Sequence, residues 1–132
     1  MRSPNDSITG GYDVHLVFTK SQKKEAEHLF ATCLSFLDEH GIKYQNHRVF
    51  SDPVGPWPTG MWQLELPSSS RVYHDLGMCI SWLMLNREGF SVMIHPNTQK
   101  ENEKGGALED HGQNHLWLGK PVELKMSIFS GR

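Results

Sequence analysis

The sequence predicts an α+β domain in which two helices cover one face of an antiparallel sheet. Three observations predict it. Short runs alternate apolar and polar residues, as half-buried strands do. Two longer runs repeat their apolar residues every three or four positions, as packed helices do. The order is strand, helix, strand, strand, helix, strand, with one further strand at the end.

Residues 1–11 are polar and read as a flexible tail, so one domain is expected over 12–132. Tyr12 to Phe18 alternates, with Tyr12, Val14, Leu16 and Phe18 on one face and Asp13, His15 and Val17 on the other. Ser21 offers a helix N-cap. Ala26, Leu29, Phe30, Cys33, Leu34 and Leu37 then form a helical stripe that ends at Gly41. Ile42 to Phe50 is a polar strand suited to an edge. Pro53, Pro56 and Pro58 make Ser51 to Gly60 a loop. Met61 to Leu66 alternates again, placing Trp62, Leu64 and Leu66 on one face. Arg71 to Arg87 fits a second helix through Val72, Leu76, Cys79, Ile80 and Leu83. Phe90 to His95 is a strand, Pro96 to Asn114 reads as a long polar loop, and Val122 to Phe129 reads as the final strand. This is the ferredoxin-like split β-α-β sandwich with an extra C-terminal strand.

Composition narrows the function. The chain has 132 residues, with 13 basic and 15 acidic side chains for a net charge of −2. No basic stripe offers a phosphate backbone a footprint, so nucleic acid is not an expected partner. The most apolar run, Met78 to Leu85, is far shorter than the roughly 20 residues of a spanning helix. The N-terminal residues hold no apolar signal core, which points to a cytoplasmic protein. Cys33 and Cys79 fall in apolar stretches and read as buried thiols of a reducing compartment. Eight histidines are the unusual feature.

Sorting the strands by face gathers some of those histidines. Both helices must cover the apolar face of the sheet. The other face then receives Asp13, His15, Val17, Met61, Gln63, Glu65, Ser91, Met93 and His95. The first and fourth strands are neighbours in this motif, so His15 and His95 converge there. Asp13 shares their face about 6 to 7 Å along the strand from His15. Two histidines and a carboxylate around an open position are the facial triad of non-haem iron. The face carries too much polar character for a core and too much apolar character for solvent. A pocket or the interior of a dimeric α/β barrel suits it, so a homodimer is expected. His28, His40, His74 and His115 read as surface or loop residues, His47 on the second strand is ambiguous, and His111 lies in the long loop.

The run Asn86-Arg87-Glu88-Gly89-Phe90-Ser91-Val92-Met93-Ile94-His95-Pro96-Asn97-Thr98 resembles the DOPA 4,5-dioxygenase family, small extradiol ring-cleaving enzymes. Tyr12 to Phe18 resembles its opening strand, Pro53-Val54-Gly55-Pro56-Trp57-Pro58 its proline-rich loop, and Asp110-His111 with Trp117-Leu118-Gly119 its closing motif. Residues 12 to about 125 follow the family order. The family's opening His-x-His keeps only its second histidine, His15, with Asp13 in the first position. Its Val-Gly-Pro-His-Pro loop carries Trp57 in place of histidine. Asp13 preserves ligand character, whereas an indole nitrogen is a donor only. Trp57 instead offers a stacking wall for a planar substrate.

The resemblance implies ring cleavage of a catechol or related phenol with Fe(II). His15, His95 and Asp13 are then the expected metal ligands, with His111 a fourth ligand or the acid/base catalyst. Trp57, Met61, Gln63 and Arg87 are the expected substrate contacts, Arg87 with a structural role as its alternative. The competing reading needs no metal: a cyclase, isomerase or dehydratase of secondary metabolism, using the same His and Asp side chains as acids and bases. A binding protein without turnover is the third.

Overall fold

A computed structural model of the chain describes residues 1–98 and 106–129. Pro4–Ser7 forms a single helical turn, α1. Strand β1 follows at Tyr12–Phe18, then helix α2 at Lys23–Glu39 and strands β2 at Gln45–Phe50 and β3 at Gly60–Leu66. Helix α3 spans Val72–Asn86, strand β4 Ser91–Pro96, helix α4 Gly106–Gly112 and strand β5 Leu116–Leu118. The five strands form one antiparallel sheet in the order β2-β3-β1-β4-β5.

The alternation read from the sequence decides which side chains face the helices. Val14, Leu16 and Phe18 of β1, Trp62, Leu64 and Leu66 of β3, and Val92 and Ile94 of β4 pack with Ala26, Leu29, Cys33 and Leu37 of α2 and Cys79 and Leu83 of α3. Each fully buried aliphatic side chain in this layer contributes about 1.5–3 kcal/mol. β2 lies at the edge, as its polar sequence predicts. The cap lies at Thr19, two residues before Ser21, and α2 itself begins at Lys23. A 3-10 turn at Lys20–Gln22 precedes it, and the Gln22 side chain accepts a hydrogen bond from the Thr19 N–H at 3.0 Å.

Two readings after β4 are corrected. The expected loop contains α4, which carries Asp110 and His111. The extra strand is β5 at Leu116–Leu118, paired with β4, and not Val122 to Phe129. The alternation in that last segment is nonetheless real: Val122, Leu124, Met126 and Ile128 are half-buried while Glu123, Lys125 and Ser127 are exposed. An extended segment with one buried face need not join a ladder. Here Val122 and Leu124 pack against Val17, Trp57, Met61 and Met93 on the open face of the sheet. The Lys125 N–H donates to the Pro56 carbonyl at 2.7 Å. The chain therefore shields its own apolar residues on that face, with Val17, Met61 and Met93 at most 6% exposed. Residues 99–105 of the expected loop lie outside the described residues.

Candidate metal centre

His15 and His95 share the open face, at the end of the sheet where β1 begins and β4 ends. Asp13 pairs in register with His95 across β1 and β4. Helix α4 adds His111 from above, and one ligand nitrogen from each of the three imidazoles lies within 4.8 Å of the others. His15 Nε2 and His95 Nε2 are 3.1 Å apart. Asp13 Oδ2 is 3.7 Å from both. The rings pack closely as well, with centroids 4.1 Å apart for the tilted pair His95 and His111 and 5.1 Å for the stacked pair His15 and His95.

The outer nitrogens define what the inner ones can do. His95 Nδ1 donates to the Pro96 carbonyl at 3.0 Å, and His111 Nδ1 donates to the Ala107 carbonyl at 2.8 Å. These assignments follow from the acceptors, because a carbonyl can only accept. The Nε2 atoms of His95 and His111 are then lone pairs. A single proton on His15 Nε2 can serve His95, which leaves His111 Nε2 and Asp13 Oδ2 as further acceptors in one small chamber. Such a donor-poor group fits a cation, and imidazole with carboxylate suits divalent iron, zinc or their neighbours.

Burial keeps the imidazoles ready for that role. His15 and His95 are 3% and 2% exposed. Burial holds the His15 pKa well below the usual histidine range, and the adjacent His95 and His111 add to the effect. Burial lowers His95 and His111 too, against the opposing pull of their carbonyl partners. All three are neutral, the form that ligates. Asp13 moves the other way: burial pushes its carboxyl up to about 6, with Asn97 opposing and Glu65 reinforcing the shift.

The surrounding residues hold this arrangement. Asn97 Nδ2 donates to Asp13 Oδ1 at 2.8 Å, leaving Oδ2 to face the histidines. Backbone bonds from Gly10 N to Asn97 O and from Asn97 N to Gly11 O fix Asn97 in turn. Gly11 has a φ of 72°, and a Cβ there would collide with the Leu66 carbonyl. Asp110 is 2% exposed and ties the end of β4 to α4, accepting from the Thr98 N–H at 2.9 Å and the Thr98 hydroxyl at 2.7 Å. Sequence reasoning assigned no role to Asn97 or Asp110 beyond their place in two family-like motifs, where Asn97 follows His95 by two residues and Asp110 precedes His111.

The expected substrate contacts separate. Trp57 is 3% exposed, with its ring on His15 at a centroid distance of 4.4 Å and an interplanar angle of 38°. It backs the imidazoles instead of opening to solvent. Met61 lies 3.5 Å from His15 Nδ1 through its sulfur. Gln63, the register partner of His15, donates to the Asn46 carbonyl at 3.2 Å. Asn46 sits at an irregularity of β2 with a φ of 51°, and it joins Gln45 in holding Glu65 beside Asp13. Arg87 is not brought to the cluster: it caps α3 and its Nη1 donates to the Phe90 carbonyl, at the opposite end of β4 from His95. Two surface cavities of about 570 and 250 Å³, near Lys43 and Tyr44 and near Ser69 to Arg71, contain none of the clustered residues.

The sequence model of the Dopa 4,5-dioxygenase family matches residues 12–128. The chain belongs to that family. It is 33% identical over 130 residues to an uncharacterised 21.2 kDa protein of Botryotinia fuckeliana, which covers 95% of this chain and 67% of that protein. It is 31% identical over 80 residues to the DOPA 4,5-dioxygenase of Amanita muscaria, covering 61% of this chain and 30% of that enzyme. The crystal structure of a Nostoc punctiforme protein assigned as a dioxygenase superposes with a TM-score of 0.77 at 26% identity, covering 97% of this chain and 96% of that one. Among the family's histidine positions, those replaced by Asp13 and Trp57 remain next to His15, so the replacements fall within the candidate centre.

Proposed function

We propose that this chain is a ring-cleaving dioxygenase that acts on a catechol or related phenol, with ferrous iron held by His15, His95 and His111. One observation carries the reading: three neutral imidazoles and a carboxylate converge with almost no donor among them. Family membership supports the reaction class. Bound there, iron supplies a Lewis acid that lowers a phenol's pKa and a centre where ring and dioxygen meet.

The chain's own groups do the rest. Asp13, its Oδ2 3.7 Å from the Nε2 atoms of His15 and His95, is the carboxylate placed to take a phenol proton. Asn97 fixes one carboxylate oxygen, so the accepting atom is Oδ2, the one turned to the histidines. Val17, Trp57 and Met61 close the inner side to water, with exposures of 6%, 3% and 1%. The half-buried Asp13 and His111 mark the side open to a substrate.

The test is to load purified protein with Fe(II) anaerobically and offer a panel of catechols with labelled dioxygen. Iron-dependent uptake of both labelled atoms into an opened ring is the expected result. Full turnover in chelator without label incorporation would overturn it and assign the same side chains to metal-free acid–base catalysis.

A further inference from the structure

We propose that Met61 is the positioning residue that makes His15 a metal ligand, because its sulfur accepts the Nδ1 proton His15 must carry when Nε2 gives up its lone pair. The inference rests on the metal-site reading above.

The three imidazoles differ in what secures their outer nitrogen. His95 uses the carbonyl of the next residue, and His111 uses the carbonyl one turn back on α4. Both acceptors are in place as soon as the local element forms. His15 has no such oxygen among the described residues; its Nδ1 faces Met61 Sδ at 3.5 Å. Met61 is two residues from Gln63, the register partner of His15, so the two side chains meet diagonally across β1 and β3 on one face. Met61 and His15 are 1% and 3% exposed, so bulk solvent does not supply the acceptor.

The choice of tautomer is therefore open at His15 alone. With the proton on Nε2, the ring donates to His95 Nε2 at 3.1 Å and offers a cation no lone pair at that atom. With the proton on Nδ1, the ring ligates, and the buried N–H needs an acceptor. A thioether is a weak acceptor but a polarizable one. Without it, the ligating tautomer would hold an unsatisfied buried donor. Partners of ligand imidazoles are typically worth about 10–100-fold in metal affinity, and a weak acceptor belongs at the lower end.

The experiment compares Zn(II) affinity, by competition with a chromophoric chelator, in the wild type, Met61→Leu, Met61→Gln and Met93→Leu. Nitrogen NMR of the His15 ring is recorded before and after Zn(II). Met93 is equally buried on the same face and pairs with His15 without a hydrogen bond to it, so it controls for packing. The expected result is about a tenfold loss for Met61→Leu, recovery for Met61→Gln and no change for Met93→Leu. The His15 ring should move its proton from Nε2 to Nδ1 on Zn(II) binding. Equal affinity in Met61→Leu and the wild type, or equal losses in both leucine variants, would overturn the role of Met61 while leaving the metal centre intact. A wild type that binds no Zn(II) would remove the metal centre itself, and the proposal with it.

Discussion

Asp110→Asn tests whether His111 is held by the carboxylate that precedes it. In the native chain the two oxygens of Asp110 take three hydrogen bonds, from the Thr98 N–H, the Thr98 hydroxyl and the Asn114 amide, the last at 3.2 Å. Asparagine keeps the shape but has one accepting atom. Its best orientation gives that oxygen to the Thr98 N–H and turns its NH₂ toward the Thr98 hydroxyl, which can accept. The Asn114 amide then meets another donor and must turn over to accept through its own oxygen. Bonds to a charged acceptor are worth about 1.5–3 kcal/mol and neutral ones about 0.5–1.5 kcal/mol. Three weakened bonds outweigh the relief of burying no charge, for a net cost of about 2 kcal/mol. For a chain of this length that lowers the melting temperature by about 6–8 °C. Thermal unfolding of the metal-free protein measures it, and hydrogen exchange at Thr98 locates it. A variant that melts within 1 °C of the parent, with the Thr98 amide still protected, would refute the clamp.

Other outcomes follow from the same geometry. His95→Ala should abolish metal binding and lower the melting temperature of the metal-free protein by several degrees, because it opens a cavity at a 2% exposed site and removes the acceptor 3.1 Å from His15; a variant that binds metal as tightly as the parent would take His95 out of the centre. Trp57→His should raise metal affinity, since the ring it replaces lies 4.4 Å from His15 and 6.1 Å from His111, and an unchanged chelator titration would count against that placement. The metal-free protein should lose stability as pH falls below about 6.5, because burial keeps three histidines neutral when folded while the unfolded chain takes up protons. Asp13 works the opposite way between about 6 and its ordinary 3.8, since the folded chain binds that proton more tightly. With three groups against one, urea midpoints should fall from pH 7.5 to pH 5, and a flat profile would contradict the neutral cluster.

The parts of this centre that the sequence reveals are those governed by local periodicity. A strand's two-residue repeat assigns Asp13, His15 and His95 to one face without knowledge of the partner strands, and the structure keeps them there. The stripes of α2 and α3 decide which face is the other one. His111 was harder to place. It belongs to a seven-residue helix whose apolar content is only Ala107 and Leu108, too little for a periodic signal. The three residues of β5 are likewise too short for alternation to stand out, whereas Val122 to Ile128 alternate well and pair with nothing in the sheet. Alternation reports a buried side, and hydrogen-bond partners are a separate matter.

By itself, then, the sequence determined the four strands and two helices up to β4, the two faces of those strands, and the pair of imidazoles that meet on the open one, because these follow from spacing along a single chain segment. Tertiary structure alone decided that Asp110 secures α4, that Asn97 aims Asp13, that Trp57 backs His15, and that a methionine sulfur meets its outer nitrogen. Those contacts join residues 12 to 84 positions apart. No local pattern encodes a distance between segments that only the packing of the sheet, α4 and the C-terminal segment brings together.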